Sequence, residues 1–390
     1  MAVNLPRTDY AEGHALSLAK KIVIIGNQGF SLLNFRGPLI EDLVAKGHSV
    51  TAMAPDMDEP TRVALRALGA EVMDINLART GMNPLADFGS IIAMRNALLQ
   101  LRPDITLGYA AKPVIYGTIA AWLAGVPTRF AMVEGLGFVF ISRDKDSLLR
   151  KMLRKTVKSL YRFALSKAKT VFFLNNDDIA DFTQMGMVQQ DKAVRLGGIG
   201  VDLDLWKSVP WVSEPVTFTL VARLLRDKGV LEFVEAARIV KSNYANVRVL
   251  LVGGLDSNPE AIQQSDVDAW VAEGIVEWAG HVPVQPWIAQ TSVFVLPSYR
   301  EGVPRSTQEA MAAGRAVITT DVPGCRDTVI EGRNGFLIPP RNGLALANAM
   351  IHFIDDQTLI VAMGRESRRL AEERFDVREV NSRLIKAMGL

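Results

Sequence analysis

The stretch Lys21-Ile-Val-Ile-Ile-Gly-Asn-Gln-Gly29 decides the fold of the first half of the chain. Its apolar run predicts a buried strand that ends at a glycine turn. A helical pattern follows through Leu39–Ala45 and stops at Gly47, and Ser49–Met53 predicts a second strand. These segments form one strand–helix–strand unit, which favours a parallel sheet.

The same alternation of apolar runs and helical stretches continues through the chain. The further strands expected in the first half lie at 72–75, 105–107, 128–133 and 170–174. The pattern restarts after Gly197–Gly200, and the strands expected there lie at 216–221, 247–252, 276–278, 293–296, 316–320 and 335–338. Strands that alternate with helices predict an α/β protein with two Rossmann-like, doubly wound domains that face a cleft.

Chain length supports this division. At 390 residues the chain is too long for one ordinary hydrophobic core. We place the first domain at 1–200, with 1–20 as a loose extension, and the second domain at 201–365. The helical pattern at the end of the chain predicts a last helix, 366–390, that packs back across the first domain.

Composition excludes several classes of protein. One cysteine rules out a disulfide framework, and four scattered histidines offer no metal-ligand spacing. The longest uncharged stretch, Pro113–Thr128, is shorter than the ~20 apolar residues that cross a bilayer, and it predicts a buried helix. Residues 1–20 lack the apolar block of a signal peptide. We therefore expect a cytoplasmic protein in a reducing setting.

Positive charge is concentrated in one segment of the first half. Arg143–Lys169 holds ten basic and two acidic residues, although the net charge of the chain is only +2. Apolar residues recur in it at helical spacing, at 149, 152, 153, 157, 160 and 164. A helix around Arg150–Arg162 either packs this stripe on the domain or lies on an anionic membrane surface, where each cation adds about 1 kcal/mol. We expect no nucleic-acid partner, because the charge lacks aromatic interleaving.

Two glutamates eight positions apart, Glu301 and Glu309, follow the expected buried strand Val293–Pro297. Glu301 lies in a Gly/Pro loop, and Glu309 lies one turn into the next helix. A strand, a tight loop and a helix start favour an anion, because free N–H groups and the helix dipole point at the loop. An acid on each side suits hydroxyl groups that flank a phosphate. Two alternatives stay open: Ser306–Glu309 fits a capping box, and Glu301 fits a solvated loop residue.

A pair of cations, Arg223 and Lys228, follows the expected strand 216–221 directly. Ligands of doubly wound folds bind at the carboxyl ends of the strands, where these two residues are expected. The forked arginine donor and the lysine point charge suit a diphosphate. The alternative is a loop salt bridge between Arg223 and Asp227.

Further loops at the same expected cleft are weaker signals. Gly26–Gly29 does not complete a dinucleotide fingerprint, but a glycine turn lets a backbone approach a phosphate closely. Val282, after the expected strand at 276–278, offers backbone contacts to a base. In the first domain, Lys112 could hold an anionic acceptor and Glu134 a hydroxyl group. Each is equally well explained by a structural role.

Taken together, these motifs resemble the retaining glycosyltransferases of family 4, which have the two-domain GT-B fold. The specific elements are E-x7-E at Glu301 and Glu309 and R-x4-K at Arg223 and Lys228. The resemblance covers nearly all of the chain after about residue 20. It is closest to bacterial enzymes that extend lipid-linked oligosaccharides at the cytoplasmic membrane face, and the segments that carry it are 34–40, 112–117, 134–137 and 200–202.

The resemblance implies roles for individual residues. Arg223 and Lys228 would neutralise the donor diphosphate, Glu301 would lie near the donor sugar, and Glu309 would hold the ribose hydroxyls. The resemblance thus implies catalytic roles for Glu301, Arg223 and Lys228. The other expected donor contacts are Gly302, Val303, Pro304, Val282 and Gly29. The expected acceptor contacts are Lys112, Glu134 and Asn34.

The implied reaction moves a sugar, with retention, from a nucleotide-sugar to a lipid-linked or glycan acceptor. UDP is the nucleotide that the family habit favours, and no metal or cofactor is expected because two cations and a helix N-terminus stabilise the leaving phosphate. Many members carry a histidine near the reacting centre, whereas this chain reads Tyr109-Ala-Ala-Lys112 there. Competing functions are a nucleotide-sugar 2-epimerase of the same fold and a non-catalytic nucleotide-sugar-binding protein.

Overall fold

The structure, a computed structural model, describes residues 19–78, 83–137, 140, 147–210, 214–256, 258 and 260–390. Most of the predicted loose extension at 1–20, and the first part of the basic segment from Arg143, lie outside the described residues. Two parallel sheets, each flanked by helices, make up the described chain.

The first sheet has seven strands in the order β3-β2-β1-β4-β5-β6-β7. Their bounds are β1 Lys21–Ile25, β2 Ser49–Ala54, β3 Glu71–Asp74, β4 Ile105–Tyr109, β5 Thr128–Val133, β6 Thr170–Phe173 and β7 Ala193–Arg195. Strand β7 was not predicted, because it has only three residues and none is fully buried, so no apolar run marks it.

The second sheet has six strands in the order β10-β9-β8-β11-β12-β13. Their bounds are β8 Val216–Val221, β9 Val247–Val252, β10 Glu277–Gly280, β11 Val293–Leu296, β12 Ala316–Thr320 and β13 Gly335–Ile338. In each sheet the strand order reverses beside the first strand, at β1/β4 and at β8/β11. A crevice forms outside the carboxyl ends of the strands at such a point.

Helices connect the strands, and α13 closes the chain. Their bounds are α1 Gly29–Ala45, α2 Glu59–Ala67, α3 Pro84–Leu101, α4 Thr118–Leu123, α5 Leu148–Ser166, α6 Asn176–Gln184, α7 Val230–Asn243, α8 Gln264–Ala272, α9 Gln285–Ala289, α10 Arg305–Ala312, α11 Gly343–Asp355, α12 Thr358–Arg374 and α13 Val377–Met388.

Helix α1 begins ten residues earlier than the helical pattern at Leu39–Ala45 indicates. Gly37 and Pro38 lie inside it and hide the pattern, because both are poor helix formers. Burial of its inner face, including Leu32, overrides that local preference.

The uncharged stretch Pro113–Thr128 forms a π-helical turn, Pro113–Gly117, followed by α4. The turn is fully buried, as are four residues of α4. Within the described parts of the chain, no helix combines the length and apolar character that crossing a membrane requires.

The last two helices join the domains. Helix α12 packs against α10 and β12 of the second domain, whereas α13 packs against α1 of the first. Asn381 on α13 donates a 2.7 Å hydrogen bond to Asp42 on α1. The chain crosses from the second domain back to the first around Phe375, whose carbonyl accepts a hydrogen bond from the Val201 amide. This crossing therefore lies later in the chain than the expected boundary at residue 366.

Candidate functional site

The motif residues of the second domain surround its switch point. Arg223 and Lys228 follow β8, and Glu301 follows β11, the strand that pairs with β8 where the order reverses. Parallel strands end at the same edge of a sheet, so loops that are far apart in sequence meet there. This topology places the predicted cations and the first predicted glutamate together.

Lys228 is the centre of this group. Its Nζ lies 2.6 Å from Glu301 Oε1, which also accepts a 2.8 Å bond from the Ser298 hydroxyl. Burial lowers the pKa of Lys228, but the charges of Glu301 and Asp227 outweigh it and the net pKa is raised. Burial raises the pKa of Asp227, and the charge of Lys228 opposes that rise. One protonated amine thus lies between two carboxyl groups.

Arg223 does not pair with Asp227, so that alternative is wrong. Its Nη1 instead donates to Asp256 Oδ2 at 2.9 Å, and Asp256 is almost fully buried. The side chain of Arg223 is 57% exposed. A buried carboxylate therefore orients the guanidinium, while more than half of its surface faces solvent and is open to an anion.

The capping-box interpretation of Glu309 is also wrong. Helix α10 begins at Arg305 after Pro304, so Ser306 lies inside the helix and no side chain caps it. The Glu309 carboxylate instead accepts a 2.8 Å bond from Arg305 Nε. Burial raises the pKa of Glu309, and the Arg305 charge opposes that rise. Arg305 also stacks over the Phe35 ring of α1 at 4.9 Å and so links the two domains.

The segment Gly302–Pro304 leads from Glu301 into α10. Val303 and Pro304 are buried, and the first bond inside the helix joins the Gln308 amide to the Pro304 carbonyl. The amides of Arg305 to Thr307 therefore have no partner within the helix, as at any helix start. Gln308, fully buried, anchors the turn by donating to the Val303 carbonyl and accepting from the Gly200 amide.

Gly302 is one of the points where the two domains meet. A Cβ at this position would collide with the carbonyl oxygen of Glu134, at the end of β5. Only glycine permits this approach of backbone to backbone. The predicted donor loop therefore lies directly against the predicted acceptor loop.

Glu134 is paired rather than free. Its Oε1 accepts from Arg36 Nη2, and Arg36 is buried with its guanidinium 4.6 Å from the centre of the Tyr109 ring. Burial raises the pKa of Glu134, and the Arg36 charge opposes that rise. Glu134 is the expected acceptor residue that the structure brings to the donor loop.

The two other expected acceptor residues have local partners. Lys112 Nζ lies 2.9 Å from Asp87 Oδ1, and Asp87 also accepts from the Tyr116 hydroxyl. Asn34 is exposed on α1 and donates to the Phe30 carbonyl one turn earlier. No contact among the described residues joins either side chain to Glu301 or Lys228.

The two remaining expected donor residues follow the carboxyl ends of β1 and β10. Gly29 opens α1, and a Cβ there would meet the Met57 side chain at 2.5 Å, so packing within the first domain already requires a glycine. Val282 follows β10 and is half-buried.

Several residues that hold these loops carry no local signal in the sequence. Arg300 and Asn175 bridge the domains beside Glu301, and Arg36 and Arg305 pair with the two other site glutamates. One exception is the run Asn175-Asn-Asp-Asp178, which begins two residues after the end of β6 and therefore lies at the carboxyl edge of the first sheet. The partners themselves could not be read from local pattern.

Comparison with known proteins bears on the family and on the fold. A family model described as "Glycosyl transferase 4-like domain" matches residues 37–197, and one described as "Glycosyl transferases group 1" matches residues 215–356. The structure of Anabaena HepE in complex with UDP and glucose superposes with a TM-score of 0.74 at 18% identity, covering 95% of this chain and 99% of that one. The predicted fold class is confirmed.

Two bacterial proteins are similar over most of their length. The N,N'-diacetylbacillosaminyl-diphospho-undecaprenol alpha-1,3-N-acetylgalactosaminyltransferase of Campylobacter jejuni is 27% identical over 94% of this chain and 97% of its own. The UDP-Gal:alpha-D-GlcNAc-diphosphoundecaprenol alpha-1,3-galactosyltransferase of Escherichia coli is 27% identical over 75% of this chain and 77% of its own.

Proposed function

The chain belongs to the group 1, family 4-like glycosyl transferases with the GT-B fold, and on that premise we propose that it moves a sugar from a UDP-sugar to a lipid-linked glycan. The single observation that carries this proposal is the position of Lys228. Its ammonium group lies at the β8/β11 switch point, against Glu301 and near the exposed Arg223. Arg223 and Lys228 would bind the donor diphosphate. Glu301 would bind the sugar on one side of it, and Glu309 would bind the ribose on the other.

The two similar bacterial enzymes favour a lipid-linked acceptor. Their names specify acceptors joined through a diphosphate to undecaprenol, and one names UDP-Gal as its donor. We infer an acceptor of the same chemical class for this chain, in the synthesis of a surface glycan. An epimerase of the same fold is less well supported, because it would have no use for an acceptor.

Charge stabilisation is the proposed chemical contribution of the second domain. Cleavage of the sugar–phosphate bond places negative charge on the leaving diphosphate. Arg223, Lys228 and the free amides at the start of α10 would stabilise that charge, and preorganised groups of this kind often contribute more to catalysis than any other single effect. As the donor enters, Glu301 would exchange its bond with Lys228 for bonds to sugar hydroxyls, which releases the ammonium for the phosphate.

Retention of configuration requires an enzyme nucleophile or attack from the face that the leaving group departs. Two carboxylates lie in the facing loops, and each has a binding or pairing role: Glu301 would bind the sugar hydroxyls, and Glu134 pairs with Arg36. Neither is an obvious nucleophile. We favour same-face attack, in which an oxygen of the leaving phosphate takes the proton of the acceptor hydroxyl. A glycosyl-enzyme adduct trapped on either glutamate would overturn this mechanism.

A screen of labelled sugar donors tests the function. Purified protein is incubated with each of several radiolabelled UDP-sugars and a bacterial lipid extract, and label is measured in the organic phase. We expect one donor to label the lipid, with an undiminished rate in EDTA, because Arg223 and Lys228 would supply the positive charge. Conversion of the donor without the extract would indicate an epimerase. Donor binding with neither hydrolysis nor transfer would indicate a binding protein.

We also propose that the first domain rests on an anionic membrane through the start of α5. Leu148, Leu149 and Met152 are between 61% and 77% exposed there, and the exposed Lys151 and Lys155 lie between and beside them. The rest of the predicted stripe turns inwards, where Ala164 is buried.

A second apolar group lies on the same side of the domain. Leu85 and Phe88, at the start of α3, are also exposed. Helices α3 and α5 both pack against the π-helical turn after β4, and each follows the carboxyl end of a strand. Apolar side chains with adjacent cations at this edge fit a bilayer that presents the lipid-linked acceptor to the cleft.

Vesicle binding tests this surface. The double variant Leu149→Asp/Met152→Asp is expected to lose at least tenfold in binding to phosphatidylglycerol vesicles, because each buried apolar side chain contributes about 1.5–3 kcal/mol. Leu344→Asp, at an exposed position on α11 of the second domain, is the matched control and should bind as the wild type does. Equal binding by the double variant, measured by flotation, would exclude this face.

A further inference from the structure

The residue before Glu301 connects the donor site to the first domain. Arg300 Nη2 lies 2.5 Å from Asp178 Oδ1 and 2.6 Å from Asp181 Oδ2, and both aspartates belong to α6 of the first domain. Asp178 is fully buried, and the Arg300 side chain is only 17% exposed. This ion pair is therefore shielded from solvent, unlike a surface salt bridge, which contributes little.

The residue after Glu301 is held by the same domain. The side-chain amide of Asn175, the N-cap residue of α6, donates to the Gly302 carbonyl at 2.5 Å. Asn175 is itself fully buried. Gly302 also packs against the Glu134 carbonyl. Both neighbours of Glu301 are thus fixed by groups from across the cleft.

The carboxylate of Glu301 points the other way. It contacts Lys228 and Ser298 of its own domain, while its backbone amide donates to the Pro323 carbonyl at 3.1 Å. The closed arrangement of the two domains therefore holds the residues on either side of Glu301, while its own carboxylate and amide are held within the second domain. When the domains separate, Arg300 and Gly302 lose their partners, and only contacts within the second domain remain.

We infer that Arg300 is a positioning residue: its ion pairs with Asp178 and Asp181 couple closure of the two domains to the placement of Glu301 at the donor sugar. The coupling acts on the sugar rather than on the nucleotide, because Arg300 and Gly302 flank Glu301 directly, whereas Arg223 and Glu309 pair with other residues, Asp256 and Arg305. The catalytic part of this inference rests on the proposed function.

Other ion pairs across the cleft involve the same two sides. Arg326 Nη1 lies 3.7 Å from Asp177 on α6, and Arg195, the last residue of β7, pairs with Asp327 at 3.1 Å. Both pairs are partly exposed and therefore weaker than the Arg300 pairs. The pair of Arg326 with Asp177 is a further contact between an acidic residue of α6 and a basic residue of the second domain. Arg300 is the member of this set that adjoins a site residue.

A double-mutant cycle tests the coupling. Arg300→Gln, Asp181→Asn and the double variant are compared with the wild type for transfer, for UDP affinity by calorimetry and for radius of gyration by small-angle X-ray scattering. Asp181 is chosen over the buried Asp178 because its change leaves the fold least disturbed. Arg248→Gln is the matched control, since Arg248 pairs with Glu277 wholly within the second domain.

We expect Arg300→Gln to lower kcat about a hundredfold, the size of effect that small misplacements of a reacting group produce, while UDP affinity changes less than threefold. Asp181→Asn should have a smaller effect, and the double variant should be no worse than Arg300→Gln alone, since both remove one interaction. The radius of gyration of Arg300→Gln should exceed that of the wild type. The control should match the wild type in every measurement.

Three results would overturn the inference: wild-type kcat for Arg300→Gln, independent effects that multiply in the double variant, or an unchanged radius of gyration. If Arg300→Gln fails to fold, the same comparison of kcat and scattering is made with Asp181→Asn. If the wild type neither binds UDP nor transfers a sugar, the proposed function fails. The scattering of unliganded wild type and Arg300→Gln still decides whether Arg300 closes the domains.

Discussion

Replacement of Lys228 by alanine is expected to lower the rate of sugar transfer by about 10²–10³-fold, the loss seen when one preorganised charge-stabilising donor is removed from an active site. Lys228 is the cation in contact with Glu301, and it follows the strand beside the switch point. Its ammonium would be the nearest positive charge to the leaving diphosphate. Transfer is measured with the labelled donor identified by the screen.

The structure adds a consequence for stability that the sequence does not reveal. Removal of Lys228 leaves Glu301 and the half-buried Asp227 without their shared counter-charge. Loss of one partner of a fully buried pair costs roughly 3–5 kcal/mol, and this part-buried pair is expected to cost less. A lower melting temperature is therefore expected together with the loss of transfer. Activity is compared well below that temperature, where circular dichroism shows the variant folded.

Lys241→Ala is the control for Lys228. Lys241 lies on α7 after the same loop, and it bonds to the Gly274 carbonyl away from the cleft. We expect its transfer rate to equal that of the wild type. If folded Lys228→Ala retains transfer within threefold of the wild type, the donor diphosphate binds elsewhere.

Replacement of Glu309 by alanine is expected to reduce UDP affinity and kcat/KM about a hundredfold. Hydrogen bonds to a charged group contribute roughly 1.5–3 kcal/mol each, and the carboxylate would hold the ribose hydroxyls. Binding of UDP alone is measured by calorimetry, because that measurement does not depend on the acceptor. The domain-closure variant Arg300→Gln should keep the UDP affinity that Glu309→Ala loses.

The chain offers a closely matched control for Glu309. Glu372 on α12 accepts a bond from Arg368 Nε at 2.6 Å, with the same four-residue spacing as the pair Arg305 and Glu309. Glu372→Ala removes the same kind of helical ion pair but lies outside the cleft. We expect it to leave UDP affinity unchanged. Equal losses for the two variants would show that Glu309 acts only through helix stability.

Fold prediction succeeded where local pattern carries the information. Six strands have the predicted bounds, because each is a short apolar run between loop residues. They are β5, β8, β9, β11, β12 and β13. Prediction failed at β7, which lacks such a run, and at the start of α1, where burial overrides Gly37 and Pro38. Tertiary packing decided both.

The candidate site shows the same division. Position after a strand identified Arg223, Lys228 and Glu301, because ligands gather at the carboxyl ends of parallel strands. The sequence left open whether Arg223 pairs with Asp227 and whether Glu309 belongs to a capping box. Only the structure decided both questions, because each depends on which side chain the residue contacts. Lys112 drew attention as a possible anion holder, but its partner Asp87 lies 25 residues away and gave no local signal.

The sequence by itself determined the two-domain α/β architecture and the chemistry of the loops, because periodicity and strand-end position are properties of short segments. Only the tertiary structure decided the pairing: Lys228 with Glu301 at a separation of 73 residues, and Arg300 with Asp178 at 122. Such contacts depend on strand order and on the approach of one domain to the other. No local pattern encodes either, so the coupling of closure to Glu301 became visible only in three dimensions.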